Sequence, residues 1–358
     1  MKILLVQLGS NGDCMFVTTI AKQIKEIDYS GCSLTWMIGS SYSDIIENNP
    51  FIDQKIIIPI KNSEDLWYKR NNINVLLNEY KNQFDKVFIT DFTIENKVKR
   101  FGTTRSTLFR CYPHKIIIDP SPQIFLTKNE VDEVTFFCKK NNISKIGNNI
   151  LFECSPQSGQ SKITLESAIK ISDFITSTIK GIRIIITSSI SFTHHNANII
   201  DASSLSIREN AELVNYCKLM IGCSSGITWL ATSTWVKKIP MIQIISPHFK
   251  NKIIPASVKT DYLYLGLDLN NIIELYDPSS DLIIDTICET YNTGFISARL
   301  KFDQFTLENY RNYRLITESK MSIFKKIYLL NNALIQSNNK YLNSFSRFIR
   351  LRKSSKVC

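Results

Sequence analysis

The sequence predicts an α/β protein with two doubly wound parallel sheets that face a shared cleft. Short apolar runs rich in β-branched residues alternate with longer amphipathic stretches, the pattern of βαβ units. Midway, Asp119-Pro120-Ser121-Pro122 interrupts the alternation, which then starts again. A chain of 358 residues with 44% apolar content is also long enough for two cores of ordinary size.

The first series opens with a strand from Ile3 to Leu8 and a helix from about Cys14 to Ile27. A strand from Ser33 to Ile38, another from Lys55 to Ile60 and a helical stretch from Glu64 to Phe84 follow. Strands at Lys86 to Thr90 and Lys115 to Asp119 complete it. Two prolines one residue apart exclude a regular helix and a central strand. After a helix from Lys128 to Asn141, residues 142–149 have loop composition, which sets domains of 1–145 and 146–280.

The second series predicts strands at Ile150 to Cys154, Ile182 to Thr187, Leu219 to Ile221 and Met241 to Ile245. Helices at Thr164 to Ile179, Ile207 to Tyr216 and Ser225 to Trp235 alternate with them. Residues 281–335 read as helices that close over the sheets, and residues 336–358 as a basic tail. Two such sheets turn their strand ends toward one cleft, where open α/β sheets bind ligands.

The opening apolar run is stopped by Gly9 to Asp13, too early for a signal peptide. No stretch approaches the roughly 18 to 20 apolar residues of a transmembrane helix. The nine cysteines form no Cys-X-X-Cys pair and no regular framework, which fits a reducing cytoplasm. A net charge of +11 favours anionic partners such as nucleotides, phosphorylated glycolipids or an anionic membrane. Nucleic acid ranks low, because the basic residues carry no nucleic-acid motif. Tyr341, Phe345, Phe348 and Arg352 fall on one side of a helical tail that also carries Arg347, Arg350 and Lys353. That pattern suits an interfacial helix on anionic lipid, with a disordered basic tail as the alternative. The expected location is cytoplasmic, peripheral on the inner face of the cytoplasmic membrane if the tail binds lipid.

Gly9-Ser10-Asn11-Gly12-Asp13 lies between the first strand and the first helix, where glycines allow a tight turn and close ligand approach. It matches neither the dinucleotide fingerprint nor the P-loop. Asp13 has two readings, a helix-capping carboxylate and a general base at the strand end, and the helix dipole favours its ionised form in either. Ser155 to Lys162 joins a strand to a helix with several hydroxyls and one cation, a loop able to hold a diphosphate or simply to lie on the surface. Gly222-Cys223-Ser224-Ser225-Gly226 is a second loop of this kind, either an anion site or an N-cap serine beside a packing glycine.

Met1 to Asp53 resembles the opening of glycosyltransferase family 9, the heptosyltransferase family, through Gly12-Asp13 and Asn49-Pro50-Phe51-Ile52-Asp53. Ser206 to Gly226 is similar to the helix, strand and small-residue loop of that family's donor domain. The likeness covers roughly residues 1 to 250. It implies a GT-B fold, two Rossmann-like domains, with inverting, metal-independent transfer from a nucleotide sugar to a glycan or lipid-linked hydroxyl in lipopolysaccharide or other surface glycan assembly. Asp13 would be the base, and Ser10, Asn11 and Gly12 would meet the acceptor. Ser155, Ser161, Lys162, Ser224, Ser225 and Gly226 would hold a donor that is ADP-linked in the family, with no cofactor. Two positions depart from the pattern: Ser224 stands where relatives carry an acidic residue and Trp229 where they carry a histidine. Those departures leave open the donor sugar, and also a noncatalytic nucleotide- or glycan-binding scaffold. His194 and His195 read as a polar surface loop or, in the region where relatives contact the donor nucleotide, as a contact to ribose or phosphate, and Trp67 to Arg70 as half-buried helix packing or an acceptor contact.

Overall fold

The computed structural model describes residues 1–91, 104–154, 159–247 and 257–306. Its first sheet holds β1 (Lys2–Val6), β2 (Ser33–Gly39), β3 (Gln54–Ile58) and β4 (Lys86–Ile89), all parallel, in the order β3-β2-β1-β4. The second holds β5 (Asn148–Glu153), β6 (Ile182–Thr187), β7 (Ile199–Asp201), β8 (Leu219–Gly222), β9 (Met241–Ile245) and β10 (Ile272–Tyr276). These are also parallel, in the order β10-β9-β8-β5-β6-β7. Counted from β5, this is the doubly wound order in which the first and fourth strands lie side by side. Chain direction across the sheet therefore reverses between β5 and β8, and between β1 and β4 in the first sheet. Such switch points open a crevice at the strand ends.

The strands alternate between two environments, as a period of two requires. Ile3 and Leu5 of β1, Leu151 of β5 and Ile185 of β6 face one continuous core, whereas Leu4 and Val6 face an outer core of the first sheet. Ile150, Phe152, Ile184 and Ile186 face an outer core of the second sheet. The shared core also holds α1 (Asn11–Gln23), which is buried on every side from Gly12 to Ala21. Its Cys-Met-Phe-Val-Thr-Thr-Ile-Ala run has no charged face to turn outward. Besides the outer core of each sheet, the structure has one apolar layer common to both.

Other helices in this layer are α4 (Thr104–Cys111), α5 (Lys128–Lys140), α7 (Glu209–Val214), α8 (Gly226–Leu230) and α9 (Val258–Leu265). Arg208, buried just before α7, fastens the halves together: its guanidinium pairs with Glu130 at 2.5 Å and donates to the carbonyls of Asp44, Glu47 and Phe125 at 3.1, 3.0 and 2.7 Å. On the outside lie α2 (Ser63–Asn71), α3 (Ile73–Leu77), α6 (Leu165–Thr178), α10 (Ser280–Asn292) and α11 (Phe295–Phe302).

Several expectations need correction. The stretch Lys115 to Asp119 forms no strand. The side chain of Gln23 on α1 satisfies its backbone instead, donating to the Lys115 carbonyl at 2.8 Å and accepting from the Ile117 N–H at 2.8 Å. The single helix expected from Glu64 to Phe84 breaks at Asn72, which caps α3. The helix expected from Ser225 to Trp235 is one short turn, α8, and β7, β10, α4 and α9 were not anticipated. Of the closing helices, α10 and α11 are present, and residues 307–335 and the tail 336–358 lie outside the described residues.

Candidate functional site

Asp13 sits at the switch point of the first sheet, beyond β1, as the third helical residue of α1. Its Oδ2 accepts from the Ser10 N–H and hydroxyl, both at 3.2 Å, which closes a capping box. The Arg70 Nη2 approaches the same oxygen at 3.5 Å. Oδ1 takes no hydrogen bond among the described residues, and the side chain keeps 10% of its surface exposed. The two readings of Asp13 are thus compatible: one oxygen caps the helix and the other is open.

Behind Asp13 lie groups that the sequence did not single out. Arg70 of α2, with 4% side-chain exposure, places its Nε 2.6 Å from Asp91 Oδ1. Asp91 follows β4, the strand beside β1, and its Oδ2 accepts from the Leu8 N–H at 2.7 Å. Tyr42 lies over the same turn: a Cβ on Gly9 would fall 2.3 Å from its ring, so only glycine leaves the ring room. Burial raises the Tyr42 hydroxyl pKa, and the Arg70 charge opposes the rise. The Cys14 thiol is likewise pushed up, by burial first and the Asp13 charge next. Trp67 packs its ring 5.2 Å from the Arg70 guanidinium and remains 47% exposed.

At the switch point of the second sheet, Glu153 at the end of β5 lies buried beneath the loop after β8. Its Oε2 accepts from the Cys223 N–H at 3.2 Å, and its Oε1 accepts from the Ser225 hydroxyl. The Thr228 hydroxyl lies 3.2 Å from both Glu153 Oε2 and Gln243 Oε1. Gln243 also accepts from the Ser224 N–H at 2.9 Å. Ser224 takes a positive φ of 53° and is fully buried. The loop that joins strand to helix is therefore held from below by one carboxylate and one amide. A charged residue inside the apolar run Ile150 to Cys154 was the signal available in the sequence.

The two switch points meet. A Cβ on Gly226 would lie 3.2 Å from the Asn11 Cβ, 3.2 Å from Ile207 Cδ1 and 3.7 Å from the Gly12 nitrogen. From this contact the chain of interactions runs on through the second sheet. Gln160 donates to the Ser224 carbonyl at 3.2 Å and accepts from the Ser246 N–H at 2.7 Å. Lys162, 64% exposed, pairs with Asp277 beyond β10 at 3.0 Å, and Ser246 donates to Asp277 at 2.6 Å. Gln160 and Lys162, in the loop after β5, thus reach the ends of β8, β9 and β10.

Of the residues singled out by sequence, Ser10, Asn11, Gly12 and Asp13 come together with Gly226. Ser225 turns its hydroxyl inward, Ser161 is buried with its Oγ 3.3 Å from the Ile163 N–H, and Ser155 lies outside the described residues. The Asn49 to Asp53 segment is structural: Asn49 donates to the Gln123 carbonyl at 3.2 Å, and Asp53 accepts from the Leu34 N–H at 2.6 Å. Trp229 packs in the shared core rather than at the loop mouth.

Ligating atoms of Asp173, His194 and His195 lie within 4.8 Å of one another. His194 Nδ1, however, accepts the Asn196 N–H at 3.1 Å, which leaves Nε2 to carry the proton toward Asp173 at 3.3 Å. In that tautomer the ring is a hydrogen-bond donor and not a ligand.

Two parallel sheets, each with its switch point turned to a common contact of strand-end loops, define a GT-B fold. No family model and no curated protein matches the sequence. Among solved structures, the protein is similar to the family 9 glycosyl transferase of Veillonella parvula DSM 2008, at 13% identity and a TM-score of 0.55, over 88% of this chain and 96% of that one. It is similar also to the E. coli ADP-heptose LPS heptosyltransferase II, at 12% identity and a TM-score of 0.50, over 89% and 100% of the two chains. The E. coli heptosyltransferase WaaC with ADP gives 12% identity and a TM-score of 0.50, over 83% and 100%. At such identities the likeness shows the fold.

Proposed function

We propose that the protein is an inverting glycosyltransferase that passes a sugar from a nucleoside-diphosphate donor to an acceptor hydroxyl. One observation carries this reading: Asp13, whose Oδ1 takes no hydrogen bond among the described residues, directly follows Asn11 and Gly12, which lie against the Gly226 loop of the other switch point. The acceptor hydroxyl loses its proton to Oδ1 as its oxygen attacks the anomeric carbon from one side, and the bond to the diphosphate breaks on the other. Lys162 exchanges Asp277 for the departing phosphates, and the charge that develops there needs no metal ion. Ser10, Asn11 and Gly12 line the acceptor side.

The solved neighbours include heptosyltransferases, one of them with ADP, which supports a nucleotide-sugar donor here. The sugar is a heptose or a related hexose, and the acceptor a glycan or lipid-linked saccharide of surface glycan assembly. The cytoplasm is the proposed location, with the basic tail from residue 336 resting on anionic lipid. A second reading, a noncatalytic nucleotide- or glycan-binding scaffold, draws on the engagement of Ser225 with Glu153 and the burial of Ser224, which leave neither hydroxyl facing a donor.

Calorimetric titration with ADP-, GDP-, UDP-, CMP- and dTDP-linked sugars tests the choice, alongside transfer assays on Asp13→Asn. Selective binding of one nucleotide, with transfer lost in the variant, is the expected result. Binding without any transfer by the unaltered protein would favour the scaffold.

A further inference from the structure

We propose that Arg70 and Asp91 act as a positioning pair for Asp13, a relay anchored in the first sheet that aims the open carboxylate oxygen at the acceptor. The proposal rests on the reading of Asp13 as the base and concerns residues to which that reading gives no part.

The relay begins at the backbone. The Leu8 N–H fixes Asp91 Oδ2 at 2.7 Å, Asp91 Oδ1 fixes Arg70 Nε at 2.6 Å, and Arg70 Nη2 reaches Asp13 Oδ2 at 3.5 Å. With the two Ser10 groups at 3.2 Å, Oδ2 meets three donors while Oδ1 meets none among the described residues. A carboxylate held by one oxygen in this way presents the lone pairs of the other in a set direction. Ser10 belongs to the same turn as Asp13, three residues before it, and so ties the carboxylate only to its own segment. Arg70 arrives from a different element, α2, and is itself tied to β4.

The chemistry explains why the pair includes a second carboxylate. When Asp13 Oδ1 takes the acceptor's proton, Asp13 becomes neutral, and the guanidinium, with 4% side-chain exposure, no longer faces a charge on that side. Asp91, fully buried and 2.6 Å from Arg70 Nε, stays beside the guanidinium through that step. In a purely structural role, two buried carboxylates around one guanidinium would be a poor arrangement, since well-packed apolar side chains of similar volume often serve stability as well or better. Arginine suits the task because its neighbouring N–H groups bridge two carboxylates, whereas a lysine presents a single point charge.

The test compares Arg70→Lys and Asp91→Asn in the full-length chain, each alone and in the Asp13→Asn background, by kcat, acceptor KM, donor affinity and thermal unfolding. In folded protein, Arg70→Lys is expected to lower kcat by about 10- to 100-fold, the scale of a small misplacement of a reacting group. Donor affinity should stay within about twofold. Arg70→Lys and Asp91→Asn combined should lose little more than either alone, and neither should lower the residual rate of Asp13→Asn further, because residues that act as a unit are not additive. An unchanged kcat in folded Arg70→Lys, or an equal loss with and without Asp13, overturns the relay while leaving Asp13 as base. Wild-type transfer by Asp13→Asn overturns the base and the relay together.

Discussion

The ring of Phe16 on α1 meets the indole of Trp229 on α8 edge-on, with centroids 4.6 Å apart, in the middle of the apolar layer that joins the two sheets. One residue belongs to the first sheet's helix and the other to the second's. Their contact makes the joint between the halves a packed core and not an open hinge.

Trp229→Ala should therefore destabilise the whole protein. Trp229 is fully buried and also faces Tyr262 at 6.4 Å, so truncation leaves a large cavity. A loss of about 3–5 kcal/mol is expected by urea unfolding. Near wild-type stability with altered nucleotide binding would instead place the indole at the loop mouth.

The loop after β8 depends on Glu153. In Glu153→Ala the Cys223 N–H and the Ser225 hydroxyl lose their acceptor inside the protein, at about 1–3 kcal/mol for each buried group left unsatisfied. A clear drop in the urea midpoint is expected, together with loss of nucleotide binding as the loop rearranges. A stable variant that binds normally would show that the loop holds its shape without the carboxylate.

Lys162→Ala separates binding from folding. Its pair with Asp277 is largely exposed, and such pairs contribute about 0–1 kcal/mol. Stability should hardly move, whereas nucleotide affinity should fall by about tenfold, on the order of one charge-assisted contact. Unchanged affinity by calorimetry would return Lys162 to the protein surface.

The fold class was legible in the sequence because buried parallel strands read as nearly continuous apolar runs, such as Ile3 to Val6 and Ile184 to Ile186. Two strands escaped notice for physical reasons. β7 is three residues long, and β10 carries Glu274, whose burial is made tolerable by partners distant in sequence: Ser257 at 2.9 Å and the Lys259 N–H at 2.7 Å. Lys115 to Asp119 looked like a strand because side-chain pairing to Gln23 leaves no mark on the local pattern. Of the candidate site, the Gly12-Asp13 turn could be read in order along the chain. Arg70 and Asp91 could not, since what matters about them is that Arg70 meets Asp13 across 57 residues and Asp91 meets Leu8 across 83.

The cysteines should be chemically quiet. Burial pushes the Cys138 thiol up to about 12, and burial likewise raises Cys14, Cys217 and Cys223. Thiolate is the reactive form, so these four should resist iodoacetamide at pH 8 in the native protein and react on denaturation. Mass spectrometry of the labelled peptides decides it, and rapid native labelling of Cys223 would mean that the β8 loop opens readily.

Glu274 should make stability depend on pH in the direction opposite to a surface carboxylate. Burial raises its pKa above the ordinary 4.5, and this outweighs the Lys259 N–H, the Tyr276 and Ser257 hydroxyls and the Lys259 charge, all of which favour ionisation. The folded state therefore binds the proton more tightly than the unfolded state does. The resulting contribution is fully present below the unfolded value near 4.5 and is lost as pH rises through the higher folded value. Glu274→Gln cannot titrate, so the wild type's stability relative to this variant should decline with rising pH above 4.5, at up to about 1.4 kcal/mol per pH unit across the window. Urea unfolding of both proteins from pH 4 to pH 8 measures the difference, and using the difference cancels every titrating group the two share. A flat difference would mean that the hydrogen bonds from Ser257, Lys259 and Tyr276 offset the burial of the charge completely, and a rising one that they exceed it.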